Sequence, residues 1–134
     1  MAPVPRAILV WHIMDIQTKK EELKSLVEKG LFVRGEQLAK ELGLEEEAKE
    51  LRRRAIWQMA AANRNMPGTK KLAEVYGFSK TELKTIFQEF MKSSIAEQEK
   101  RDLEPCYDQY SADYLSFDEW MEQLFKRWDK IAKG

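Results

Sequence analysis

SKTELKTIFQEFMKSSI, residues 79–95, carries the pattern that decides how the rest of this chain is read. Leu83, Ile86, Phe87, Phe90, Met91 and Ile95 recur at helical spacing and make one apolar stripe. Ser79 stands just before the stripe, and Glu82 follows three residues later. In such a capping box the hydroxyl accepts from an orphan backbone N–H, while the carboxylate reaches back to the cap's own N–H. The pattern predicts a helix from Lys80 that continues to about residue 103, ahead of Pro105.

The same signals recur outward in both directions. Thr18 with Glu21 and Ser116 with Glu119 make two further capping boxes, each ahead of apolar periodicity. A helix over 19–29 is expected to bury Leu23, Leu26 and Val27 and to stop at Gly30. A short helix over 35–42 carries Leu38, Ala39 and Leu42 and stops at Gly43. A longer one over 45–64 repeats Ala48, Leu51, Ala55 and Met59, with Trp57 expected at the edge of the core. Asn65-Met66-Pro67-Gly68 reads as a breaker, followed by a helix over 69–76 that ends at Gly77. The last helix, 117–132, aligns Phe117, Trp120, Met121, Leu124, Phe125, Trp128 and Ile131. No apolar/polar alternation marks a strand. The run 7–14 fits helix or strand by itself and is read as helix, because no partner strand is visible. The expected fold is all-α, a compact multi-helix domain of five to seven helices spanning 1–134, with residues 1–13 as a loosely attached N-terminal extension and Met14 as a second candidate start.

Composition bounds the function. With 134 residues, 43% of them hydrophobic and 34% charged, the chain can bury a core. The run 7–14 is far shorter than the roughly 20 residues that span a bilayer. It follows Arg6 as a secretory signal would, yet Asp15, Gln17 and two lysines stand where a small-residue cleavage site belongs. Cys106 is the single cysteine, which excludes an intramolecular disulfide and suits a reducing cytosol. These features give a cytoplasmic reading without a membrane partner.

The net charge is zero but unevenly laid out. Residues 1–50 carry eight Lys/Arg against ten Asp/Glu, residues 51–92 nine against three, and residues 93–134 six against ten. The basic middle third contains TKKLAEVYGFSKTELKTIF, residues 69–87. A steeply crossed helix pair needs a small residue where the second helix packs, a Gly to turn the chain, and an aliphatic residue to seal the second helix. Ala73, Gly77 and Leu83 supply these in order, with Leu72, Phe78, Ile86 and Phe87 around them. Residues 72–87 thus resemble the helix-turn-helix of DNA-binding proteins. The resemblance implies that the helix from Lys80 reads nucleic acid through Lys80, Thr81, Lys84, Thr85 and Gln88, residue types suited to base edges and phosphates. It implies that Lys70 and Lys71 clamp the backbone, with Arg52, Arg53, Arg54 and Arg64 adding positive charge. Glu82 and Glu89 also fall on the exposed side, where each would repel phosphate.

Other constellations read as structural. Residues 108–119 begin with Asp108 and end with Glu119, and their end looks like an EF-hand loop; Tyr110 and Ala112 stand where oxygen ligands belong and Asp113 replaces the turn glycine, so no metal site is assigned. The Phe117–Trp128 aromatic stripe reads as core, or as a face for a homodimer or another protein. Glu45 with Lys49 and Glu50 with Arg54 are favourably ordered helix pairs on a solvated face. His12 reads as a satisfied buried histidine, with no second His to build a zinc site. No phosphate loop, metal spacing or nucleophile elbow marks an enzyme, and no cofactor is expected. The expected function is a small cytoplasmic nucleic-acid-binding or transcription-regulatory protein with DNA or RNA as partner. The alternative is a helical protein–protein adaptor without nucleic-acid binding.

Overall fold

Helix formation begins at Arg6 and runs without interruption to Glu28 in the first helix, α1. The computed structural model describes the backbone of residues 6–93, 103–109 and 111–131, with side chains from Asp15 onward. Five further α-helices follow among the described residues: α2 (Phe32–Glu41), α3 (Glu45–Trp57), α4 (Met66–Tyr76), α5 (Lys80–Ser93) and α6 (Phe117–Lys126). A π-helical turn, Gln58–Ala62, extends α3, and a 3-10 turn, Trp128–Lys130, extends α6. The all-α expectation of five to seven helices holds. The His12 side chain, Ile95, the predicted continuation of α5 toward residue 103, and Tyr110 lie outside the described residues.

Three helix ends obey one rule. At Gly77 the backbone enters the left-handed region (φ 75°), the Phe78 N–H returns to Ala73 O at 2.8 Å and the Gly77 N–H to Glu74 O at 3.3 Å. This Schellman closure satisfies carbonyls that the helix leaves open and uses a residue without a Cβ. The same paired bonds close α1 around Gly30 and α2 around Gly43.

The predicted start at Thr18 is corrected. Thr18 lies inside α1, because the run 7–14 is helical and propagates through it. A Thr-x-x-Glu pattern caps only where the chain arrives in a non-helical conformation. The other two boxes form. The Glu82 N–H donates to Ser79 Oγ at 3.2 Å and the Ser79 N–H to Glu82 Oε1 at 3.3 Å; Ser116 and Glu119 do the same at 3.3 and 3.1 Å. The start of α4 is also corrected, to Met66. Asn65 caps it by accepting from the Gly68 N–H at 2.9 Å, and Pro67 stands in the first turn, where its missing N–H costs nothing.

A β-hairpin was not predicted. Cys106–Asp108 pairs antiparallel with Asp113–Leu115, with Tyr107 opposite Tyr114. Three residues per strand are too few for alternation to show in the sequence. Inside the turn, Asp108 accepts from both the Ser111 N–H and the Ser111 hydroxyl at 2.9 Å. Asp108 and Glu119, the two ends of the calcium-loop-like stretch, are therefore both engaged in local backbone structure.

The chain packs as two compact units, residues 1–55 and 56–134, divided within α3. The first unit buries Leu23, Leu38, Ala39, Ala48 and Leu51, with Phe32, Leu42 and Leu44 packed around them. Gly35 stands inside α2 next to this core, and a Cβ added there would meet Leu51, Leu23 and Val27 at 3.6–3.7 Å, ordinary van der Waals contact. Gly35→Ala is expected to stabilise the protein by about 0.5–1 kcal/mol through reduced backbone entropy of the unfolded chain. A urea midpoint that falls instead would show that this helix–helix approach has no room for a methyl group.

The second unit centres on Phe117, Trp120, Phe87, Ile56, Leu83 and Leu124. Trp57 is buried in it rather than set at its edge. Its ring stacks on Phe90 at 5.2 Å and meets Phe117 edge-on at 4.9 Å. The aromatic residues at the front of α6 are spent in this core, while Phe125 and Trp128 are half-buried. Among the described residues no helix is long and apolar enough to cross a membrane.

Candidate nucleic-acid interface

The apolar stripe of α5 fixes which side chains are left for solvent. Leu83, Ile86 and Phe87 are buried, and this turns Lys80, Thr81, Lys84, Thr85 and Gln88 outward, all exposed. At about 100° per residue these five span an arc of roughly 140° on one side of the helix. Thr85 returns its hydroxyl to Thr81 O at 3.1 Å, which leaves its methyl group to the surface. Glu82, one of the two acids counted against this face, is turned toward the helix N-terminus by its bond to Ser79. Lys71 is exposed on α4, as is Val75.

Lys92 extends the same side of α5 and is exposed. The sequence reading overlooked it, although Lys80, Lys84, Gln88 and Lys92 repeat at intervals of four. That spacing alone could have found it.

Lys70 and Arg64, two further cations of the second unit, are engaged by backbone carbonyls. Lys70, expected as a phosphate clamp, is only 7% exposed. Its ammonium donates to Trp128 O at 2.5 Å and Ile131 O at 3.3 Å and lies 5.7 Å from the Trp128 ring centre. It closes the carbonyl end of the C-terminal 3-10 turn, where partial negative charge collects. Arg64 is likewise a structural clasp. Its guanidinium donates to Ala61 O at 3.0 Å, Leu115 O at 3.1 Å and Glu104 O at 2.9 Å, and stacks 5.4 Å from the centre of Phe117.

Arg52, Arg53 and Arg54 belong to the first unit. Arg52 pairs at 3.3 Å with Glu36, a buried carboxylate. Arg53 is 3.8 Å from Glu50, and Arg54 lies over the Phe32 ring at 4.5 Å instead of pairing with Glu50. Comparison of the chain with protein-family models, curated proteins and solved structures finds no match.

Proposed function

We propose that this is a small nucleic-acid-binding protein that meets its target through the exposed side of α5. The observation that carries the reading is the joint exposure of Lys80, Thr81, Lys84, Thr85 and Gln88 opposite a buried stripe. Lysines along one side of a helix can neutralise successive phosphates, and Gln and Thr between them have the hydrogen-bonding groups and the methyl that base edges recognise. Lys71 and Lys92 supply further phosphate contacts. A cytoplasmic, transcription-regulatory role is the context in which such a face would act.

The test is Lys80→Glu with Lys84→Glu, measured against random-sequence duplex DNA. Both side chains are exposed, so the helical circular dichroism should be unchanged while binding is lost. Each reversal removes one phosphate contact and adds a repulsion, and the pair should weaken binding by well over about tenfold at moderate salt. Equal affinity of the variant and the parent protein would sink the proposal.

A protein–protein adaptor remains the second reading. It is favoured by the inward commitment of Lys70, Arg52 and Arg64, which lowers the positive charge left on the surface.

A further inference from the structure

The exposed donors of α5 form a row that runs the length of the helix. Lys80, Lys84, Gln88 and Lys92 stand four residues apart, and all are exposed. In a helix each such step climbs about 6 Å and turns about 40°, so the row is a gently slanted ridge about 18 Å long. The helix is held inward over the whole of that length. Leu83, Ile86 and Phe87 are buried, and near the C-terminal end Phe90 stacks on Trp57 at 5.2 Å. The row is therefore carried on a fixed rod, from Lys80 in the first turn to Lys92 in the last.

Its chemistry is of one kind. Lys80, Lys84 and Lys92 present ammonium groups, and Gln88 is a neutral amide donor that phosphates also accept from. The two acids of α5 stand off the row. Glu82 accepts from the Ser79 N–H, and Glu89 falls in the neighbouring row with Thr81 and Thr85. A step of about 6 Å is close to the distance between consecutive phosphates of one nucleic-acid strand. A rigid row matches a repeat that is itself rigid, which is the condition of a strand in a duplex and not of a free single strand. A recognition helix that enters a groove by its N-terminal end reads with its first residues. Here the last turn carries a cation in line with those of the first two.

We propose that α5 lies lengthwise against one phosphate backbone of a duplex, with Lys80, Lys84, Gln88 and Lys92 taking successive phosphates of the same strand. This rests on the nucleic-acid reading of α5 and goes beyond it by fixing the orientation of the helix on its ligand.

The experiment titrates the full chain and its single variants with random-sequence duplex DNA and with single-stranded DNA of the same length. Lys92→Glu should weaken duplex binding as much as Lys80→Glu, by about threefold to tenfold each at moderate salt. Lys92→Gln avoids placing an acid at the helix C-terminus. It should make the slope of log affinity against log salt shallower by about 0.9, the share of one phosphate. Lys92→Arg should keep both the affinity and the slope. Duplex binding that is weakened in Lys80→Glu but unchanged in Lys92→Glu and Lys92→Gln would overturn the lengthwise orientation and leave α5 as a nucleic-acid face entered end-on. Tighter binding of the single strand than of the duplex would overturn it too. A parent chain that binds neither would remove the nucleic-acid reading itself, and this inference with it.

Discussion

Phe117→Ala should unfold the second unit's core more than any other single truncation, with a loss of about 3–5 kcal/mol. Phe117 is 1% exposed and lies against the rings of Trp57, Phe87 and Trp120 at 4.9, 5.6 and 5.9 Å. It brings α3, α5 and α6 into one aromatic cluster. Removing its ring strips apolar contact from all three and leaves a cavity whose large neighbours cannot collapse inward. Typical domains are stable by about 5–15 kcal/mol, so the loss takes a large share of the total. Urea unfolding of the full chain checks this: the midpoint should fall sharply, and Phe117→Leu, which keeps much of the volume, should cost less. A cost below about 1 kcal/mol would mean that this cluster is not the core.

Arg64→Ala should cost about 2–3 kcal/mol, a sum already reduced for the partial exposure of the guanidinium. Three charged donor contacts are lost at once, two of them to carbonyls 40 and 51 residues away. The hairpin should loosen first, because Arg64 joins the Glu104 and Leu115 carbonyls at its base to the end of the π-helical turn. Hydrogen exchange at the Cys106–Leu115 pair should accelerate more than exchange within α5. The backbone at Arg64 is left-handed, with φ at 50°. Arg64→Gly therefore relieves strain that Arg64→Ala retains and should be milder by about 1 kcal/mol. Arg64→Lys should not rescue, since one ammonium cannot span three carbonyls. Equal exchange rates in Arg64→Ala and the parent chain would remove the clasp from the account.

Local chemistry was legible in the sequence and distant pairing was not. Ser79–Glu82 and Ser116–Glu119 were readable because both partners of each box lie within four residues. Gly77 was readable as a stop because a left-handed closure needs a residue without a side chain. Thr18–Glu21 has the same lettering and no cap, since what precedes a capping residue decides whether it caps. Lys70 and Lys71 are adjacent and look alike, yet one is buried and the other exposed. The difference lies in carbonyls 58 and 61 residues away, which no periodicity reports. Arg64 was misread for the same reason. The hairpin escaped because its strands are three residues long, and its tyrosines became a surface feature only once their pairing was known. On α5 the stripe alone identified every outward residue of the candidate face except Lys92.

Salt dependence of duplex DNA binding checks the proposal that α5 meets phosphates with its exposed lysines. With Lys71, Lys80, Lys84 and Lys92 in contact, a plot of log affinity against log salt should fall with a slope of about −3 to −4. A slope near zero, or affinity no better for DNA than for a neutral polymer, would contradict the account.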